Sequence, residues 1–244
     1  MIKTPGWRFF AFFAAIVVTV WLISPRKNEY SIMNRVLLTS ETEAAMKKLY
    51  FDVQNIFEHL SIPFTVHAGT LLGLKRHKAF IPWDDDVDIL IHKRHIGRLL
   101  ENEEYLRGRG YTIRSRASHK GTYYKIFPID AKYYNIFGPI KKKWPFLDVF
   151  TYETIDGKAA NFHVGWKSRE VPINWMEPFR RYPFYDSYAW GPNELELCVT
   201  AYFGENYDTE CIVRTHQHRT PYGLNTLNPN VHFDCLDLKT RQYL

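Results

Sequence analysis

The 244-residue chain has room for one medium domain and a short appendage, and its 45% hydrophobic content is enough for that domain to bury a real core. The formal charge of +6 suits an anionic partner such as a nucleotide, a phosphorylated glycan or a lipid headgroup, unless the basic surface serves only solubility. No nucleic acid is expected, since there is no arginine-rich arm or finger spacing, and three cysteines rule out a disulfide framework while allowing one bridge and a leftover thiol.

Residues 1–8 are a short tail. Residues 9–23 (FFAFFAAIVVTVWLI) are uncharged and apolar, with Lys3 and Arg8 before them and Arg26 and Lys27 after. Counting Trp7 and Ser24 as interfacial gives about 18 residues, or roughly 27 Å of helix, which spans a thin secretory bilayer. Trp21, Leu22 and Ile23 are poor neighbours for a cleavage site, so an uncleaved transmembrane signal anchor over 9–24 is expected rather than a removed signal peptide. Positive charge is similar on both sides and does not orient the segment. A stem, 25–39, leads to the main domain.

Ser40 and Glu43 make a capping box for a helix with Met46, Leu49, Val53, Ile56, Phe57 and Leu60 on one face, ended by Pro63. A brief strand at 64–67, a small-residue turn at 68–70 and a short helix at 71–76 follow. The expected order then continues with a strand at 86–91, a polar helix over 92–107 ended by Gly108 and Gly110, and strands at 111–116 and 122–128. Lys141, Lys142 and Lys143 form a basic loop before an apolar strand at 146–150. A helix near 192–202 stands in a proline- and aromatic-rich remainder. The domain boundaries are 40–210, with a C-terminal extension over 211–244.

The chemistry sits in two acidic strands. Alternate side chains of a strand share a face, so Asp86 and Asp88 project together and repel unless a cation lies between them. Hard oxygen ligands suit Mg2+ or Mn2+. Asp148 is a lone acid in the apolar run Phe-Leu-Asp-Val-Phe; if its strand lies beside the first, three carboxylates converge. A surface acidic run is the competing explanation, and the surrounding Ile, Pro, Trp, Val and Leu argue against it. Asp84 shares the parity of Asp86, whereas Asp85 faces elsewhere. His67-Ala68-Gly69-Thr70 places small residues where a strand turns into a helix, and free N–H groups there can hold a phosphate. Lys75, Arg76, His77 and Lys78 form a basic patch suited to phosphates, or simply a solvated helix end. Lys125, in the apolar run Tyr-Lys-Ile-Phe, is a candidate to reach the site. Cys211, His216, His218 and Cys235 would be a zinc set, but their spacing matches no compact motif. The aromatics, 16% of the chain, are mostly core, with a few near 182–190 suited to stacking on sugars.

A glycine-containing turn, a D-x-D strand and a third acid on another strand resemble the layout of the nucleotidyltransferase superfamily. More specifically, residues 68–91, AGTLLGLKRHKAFIPWDDDVDILI, resemble the hallmark block of the LicD family, which includes bacterial phosphocholine transferases, fukutin and fukutin-related protein. Phe146-Leu147-Asp148-Val149-Phe150 resembles its second acidic strand. Met176-Glu177-Pro178-Phe179-Arg180-Arg181, Trp190-Gly191-Pro192 and Tyr202-Phe203-Gly204 resemble its C-terminal part. Ala68 stands where the family usually has the first of two glycines.

The resemblance implies an α/β (α+β) fold, a nucleotidyltransferase-like mixed sheet flanked by helices. It implies Asp86, Asp88 and Asp148 as metal-binding and catalytic acids, with Asp148 either activating the acceptor hydroxyl or only binding metal, and Gly69 and Thr70 at the phosphate turn. It implies transfer of a phosphorylated alcohol, of phosphocholine or alditol phosphate type, from a CDP-linked donor to a glycan acceptor on a glycoprotein or glycolipid. With the anchor, this gives a single-pass type II protein of the Golgi or endoplasmic reticulum with a lumenal catalytic domain. Two alternatives remain at this point: a true nucleotidyltransferase of the same fold, and a catalytically inactive, membrane-anchored glycan-binding partner.

Overall fold

A computed structural model describes residues 37–118, 121–137, 140–161, 170–214 and 230–235. The apolar run 9–23, expected as the signal anchor, lies outside the described residues. No helix among the described residues is long and apolar enough to cross a membrane.

Helix α1 spans Ser40–His59, and its N-cap is Thr39, whose hydroxyl accepts the Thr42 N–H at 3.2 Å. The expected Ser40–Glu43 capping box therefore does not form; the cap lies one residue earlier. Glu43 instead accepts a hydrogen bond from the Tyr185 hydroxyl at 2.6 Å. Met46, Leu49, Tyr50, Val53 and Phe57 form the buried stripe, the i, i+3, i+4 spacing that turns one helix face inward. The chain leaves the helix before Pro63, with Ser61 in the left-handed region at φ 50°.

Strand β1 (Phe64–Val66) leads into α2 (Ala68–His77), which is one turn longer than its sequence suggests. Strand β2 is Val87–His92. The polar stretch after it breaks into a short 3-10 turn, Lys93–His95, and two helices, α3 (Ile96–Glu101) and α4 (Glu103–Gly108), parted at Asn102. A hairpin follows, β3 (Tyr111–Ser118) with β4 (Gly121–Pro128). The run expected as a basic loop is a strand, β6 (Ile140–Trp144), paired antiparallel with β5 (Lys132–Phe137). Its backbone hydrogen bonds go to a partner that the lysine run itself does not reveal. Then come β7 (Leu147–Ile155), β8 (Lys158–Asn161), β9 (Val171–Pro172) and the one-turn α5 (Ile173–Met176). The hairpin β10 (Arg180–Phe184)–β11 (Ser187–Gly191), α6 (Leu195–Phe203) and the pair β12 (Glu210–Arg214)–β13 (Asn230–Asp234) complete the described chain.

The central sheet is mixed, ordered β1-β2-β7-β4-β3, with β8 paired to the C-terminal part of β7 beyond the reach of β4, and β9 beyond β8. Strands β2 and β7 are parallel; the other neighbours are antiparallel. Val87, Ile89, Leu90 and Ile91 are all fully buried, as expected of a central strand covered on both faces. Each contributes about 2 kcal/mol of burial free energy. Leu90 packs with Tyr152, Met176 and Cys198, so α5 and α6 cover the face that Asp88 shares. The hairpin β12–β13 is closed by a disulfide between Cys211 and Cys235, with Cα atoms 5.0 Å apart. That bridge takes up both thiols, so they are not the zinc ligands considered above; His216 and His218 lie outside the described residues.

Candidate functional site

The β2–β7 register puts Asp88 opposite Asp148, and the β4–β7 register puts Lys125 opposite Asp148. Three neighbouring strands thus set two acids and a lysine side by side on one face. Asp86, one residue before β2 begins, completes the set: oxygens of Asp86, Asp88 and Asp148 lie within 4.8 Å of one another. Asp88 and Asp148 are buried, and Asp86 is half-buried. The pairing of β7 beside β2 thus meets the condition under which the sequence expects three carboxylates to converge.

The electrostatics follow from the crowding. Burial, then the charges of Asp86, Asp148 and Asp84, push the Asp88 carboxyl well above the usual carboxylate range; Lys125 opposes the shift. Lys125 Nζ sits 2.6 Å and 2.8 Å from the two Asp148 oxygens and 3.5 Å from the centre of the Phe146 ring. One ammonium beside three converging carboxylates leaves negative charge in a confined, oxygen-lined space. Such a set fits a hard divalent cation, with Asp86, Asp88 and Asp148 as the residues that would hold it.

The turn before α2 buttresses these acids. Ala68 has φ 44°, in the left-handed region where glycine is at ease, which gives a physical meaning to the glycine that the resemblance leads one to expect there. Gly69 lies against Asp84; a Cβ there would fall 1.9 Å from Asp84 Oδ2. Thr70, fully buried, accepts the Asp88 N–H on its hydroxyl at 2.9 Å. The His67 N–H donates to the Asp88 carbonyl at 2.9 Å. Helix α2 thereby fixes the β2 backbone on both sides of the Asp88 side chain. The His67 ring, buried edge-on against Phe150 and Tyr202, is held neutral, its pKa lowered to about 4 by burial.

Asp85 is buried, and its carbonyl accepts the Trp144 indole N–H at 2.7 Å. Lys75, Arg76 and His77 occupy the other end of α2, roughly 10 Å along the helix from Gly69. Lys75 pairs with Glu196, Arg76 donates to the carbonyls of Tyr207 and Glu210, and the His77 ring meets Trp83 edge-on at 6.2 Å. The structure therefore gathers Asp86, Asp88, Asp148 and Lys125 with Gly69 and Thr70, and ties Lys75 and Arg76 to the C-terminal elements. The backbone anchoring by Thr70 and His67 leaves no mark in the sequence beyond two residues in a turn, because both partners lie on a strand eighteen or more positions away.

Residues 61–194 match the family described as LicD/FKTN/FKRP, nucleotidyltransferase domain. Among characterised relatives, the Haemophilus influenzae lipopolysaccharide cholinephosphotransferase LicD is 32% identical over 104 residues, 40% of this chain and 38% of that protein. The human ribitol 5-phosphate transferase FKRP is 26% identical over 163 residues, 62% of this chain and 30% of that protein. A Rickettsia prowazekii protein without an assigned function, RP689, is 28% identical over 202 residues, 76% of this chain and 72% of its own length. The matched region thus spans about a third of each of the two transferases. The matched domain runs from the end of α1 past Trp190 and takes in every acid of the cluster, and the chain belongs to the LicD family.

Proposed function

We propose that this chain is a metal-dependent phosphotransferase that moves a phosphorylated alcohol from a CDP-linked donor to a glycan acceptor. The carrying observation is the convergence of Asp86, Asp88 and Asp148, with Asp88 and Asp148 in register on parallel strands. The names of two relatives, a cholinephosphotransferase and a ribitol 5-phosphate transferase, support a phosphoalcohol as the group moved. Mg2+ or Mn2+ bound by the three acids would neutralise charge on the phosphates.

In this reading the acceptor hydroxyl oxygen bonds to the phosphorus nearest the alcohol. The bond from that phosphorus to the bridging oxygen breaks, CMP leaves with the electron pair, and the hydroxyl proton passes to water. Asp148 serves better as a ligand than as the base, because the Lys125 ammonium lies against both of its oxygens and crowds the approach of an acceptor hydroxyl. Lys125 then holds Asp148 in place and adds positive charge beside the donor phosphates. Gly69 gives room for Asp84, and Thr70 holds Asp88 in line. Lys75, Arg76 and His77 are left as supports of the α2 end rather than donor contacts.

The same reading places the protein in a secretory membrane, Golgi or endoplasmic reticulum, as a type II protein anchored by residues 9–24. The Cys211–Cys235 bridge supports an oxidising lumen for the catalytic domain. The test is product analysis with CDP-choline, CDP-ribitol and CDP-glycerol supplied to the full-length chain with a glycan acceptor. CMP release with the alcohol phosphate on the glycan is expected. Pyrophosphate release with the nucleotide base on the acceptor would replace this reading by nucleotidyl transfer, and no turnover of any donor would favour an inactive glycan-binding partner.

A further inference from the structure

At its far end from the acids, β2 opens into a cleft of about 520 Å3. Its walls come from four stretches: the end of α1 with the turn and the start of β1 after it, the β2 terminus with the 3-10 turn, Tyr152 on β7, and the segment from Glu177 to Trp190. That last segment carries the Glu177-Pro178-Phe179 and Trp190 motifs, which the metal chemistry leaves unused. Asp88 and His92 are four residues apart on one face of β2, roughly 13 Å. Leu90 lies between them, buried with Met176 and Cys198, so the cleft is separate from the acid cluster.

The polar groups of the cleft are locked in place. Glu58 Oε1 accepts the Trp190 indole N–H at 2.7 Å and the Tyr188 hydroxyl at 2.9 Å. The Arg181 guanidinium lies over both rings, 4.9 Å from Trp190 and 4.4 Å from Tyr188. Opposite, Glu177 accepts the Tyr152 hydroxyl and lies 4.0 Å from Arg94, which in turn donates to His95 Nε2 at 3.1 Å.

Two carboxylates thus face two guanidiniums. His92 and His95 are held below the ordinary histidine pKa, by burial first and by Arg94 next, which keeps both rings neutral at pH 7. The cleft carries no net charge, so nothing in it recruits an anion. It does offer fixed acceptors and donors beside the half-buried faces of Phe179 and Trp190, which is what a flat C–H face edged with hydroxyls requires.

We propose that this cleft binds a neutral saccharide. It rests on the glycan-acceptor reading and deepens it: the acceptor is held at a second point, a few sugar units from the reacting hydroxyl.

The test is saturation-transfer NMR on the full-length chain carrying Asp88→Asn, with no donor present. Lactose, chitobiose and mannobiose serve as neutral probes, and sialyllactose and a hyaluronan disaccharide as charged ones. At least one neutral disaccharide is expected to bind. Trp190→Ala and Glu177→Gln are each expected to weaken it roughly fivefold, in keeping with the loss of one stacking or hydrogen-bonding contact. Trp190→Phe keeps an aromatic face and should retain binding, which separates lost stacking from a lost fold. Silence from all three neutral probes, preference for the charged ones, or indifference to Trp190→Ala would overturn the proposal. Because binding is read with no donor present, the outcome is independent of whether CMP is the product in the wild type.

Discussion

An added methyl at Gly69 would fall 1.9 Å from Asp84 Oδ2, the tip of a side chain, whereas at Gly73 it would meet the Ala79 carbonyl oxygen, which is backbone, at 2.5 Å. The two substitutions therefore fail differently. Gly69→Ala is expected to displace Asp84 and weaken divalent binding roughly tenfold while leaving unfolding little changed. Gly73→Ala is expected to cost about 1–3 kcal/mol of stability. Calorimetric titration with Mn2+ and urea unfolding on both variants measure the contrast.

His67 gives a pH signature at the same scale. With its folded pKa at about 4, it binds fewer protons folded than unfolded between there and the ordinary value near 6.5. Stability from this group is therefore full above pH 6.5 and falls as pH drops through the window, by about 3 kcal/mol at the bottom. His67→Leu should flatten that part of the urea-unfolding profile; an unchanged slope would place the loss elsewhere. Strand parity for Asp86 and Asp88, and the apolar setting of the lone Asp148, are local signals, which is why these three were legible in the sequence. The partners of Gly69, Thr70 and His67 were not, because each contact joins positions that only the folded chain brings together.

Among the elements, the β2-β7-β4 register carries the site. It aligns Asp88, Asp148 and Lys125 across three strands, so a slip of one residue in any one of them would turn that strand's member of the set to the other face. Lys125 is the ammonium that offsets the acids, at 16% side-chain exposure against 10% for Asp148. Lys125→Met is expected to cost about 2–3 kcal/mol in metal-free protein, because it leaves carboxylates crowded without that charge. Added Mg2+ should then raise the melting temperature more in the variant than in the wild type; an equal or smaller rise would mean that Lys125 is not the counter-charge. The long apolar or alternating runs announced their elements, α1, β2, β4 and β7 among them. The lysines at 141–143 did not, since three like residues in a row carry no period and the β5 pairing supplies what periodicity lacks. The polar stretch after β2 read as one helix because composition does not mark the break at Asn102.

For the molecule as a whole, the C-terminal hairpin is a brace for the acidic loop. Trp83 donates its indole N–H to the Ile212 carbonyl at 3.3 Å, Arg76 reaches Tyr207 and Glu210, and Cys211–Cys235 closes a separation of 24 residues. Cys235→Ser is expected to lower stability by about 3 kcal/mol, the loop-closure entropy returned to the unfolded chain. Urea unfolding of that variant beside reduced wild type measures it, and the two should agree. Cys198, buried in the core with its thiol pushed up to about 12, should stay unreactive throughout.

In the proposed function, Asp86, Asp88 and Asp148 hold the metal and carry the transfer. The most direct measurement is CMP release from CDP-choline, CDP-ribitol and CDP-glycerol, followed in wild type and Asp88→Asn while Mn2+ is titrated. Release from at least one donor is expected to depend on the metal in the wild type and to fall roughly a thousandfold in the variant, with the fold intact by circular dichroism. Undiminished release from Asp88→Asn, or release that ignores the metal, would contradict it.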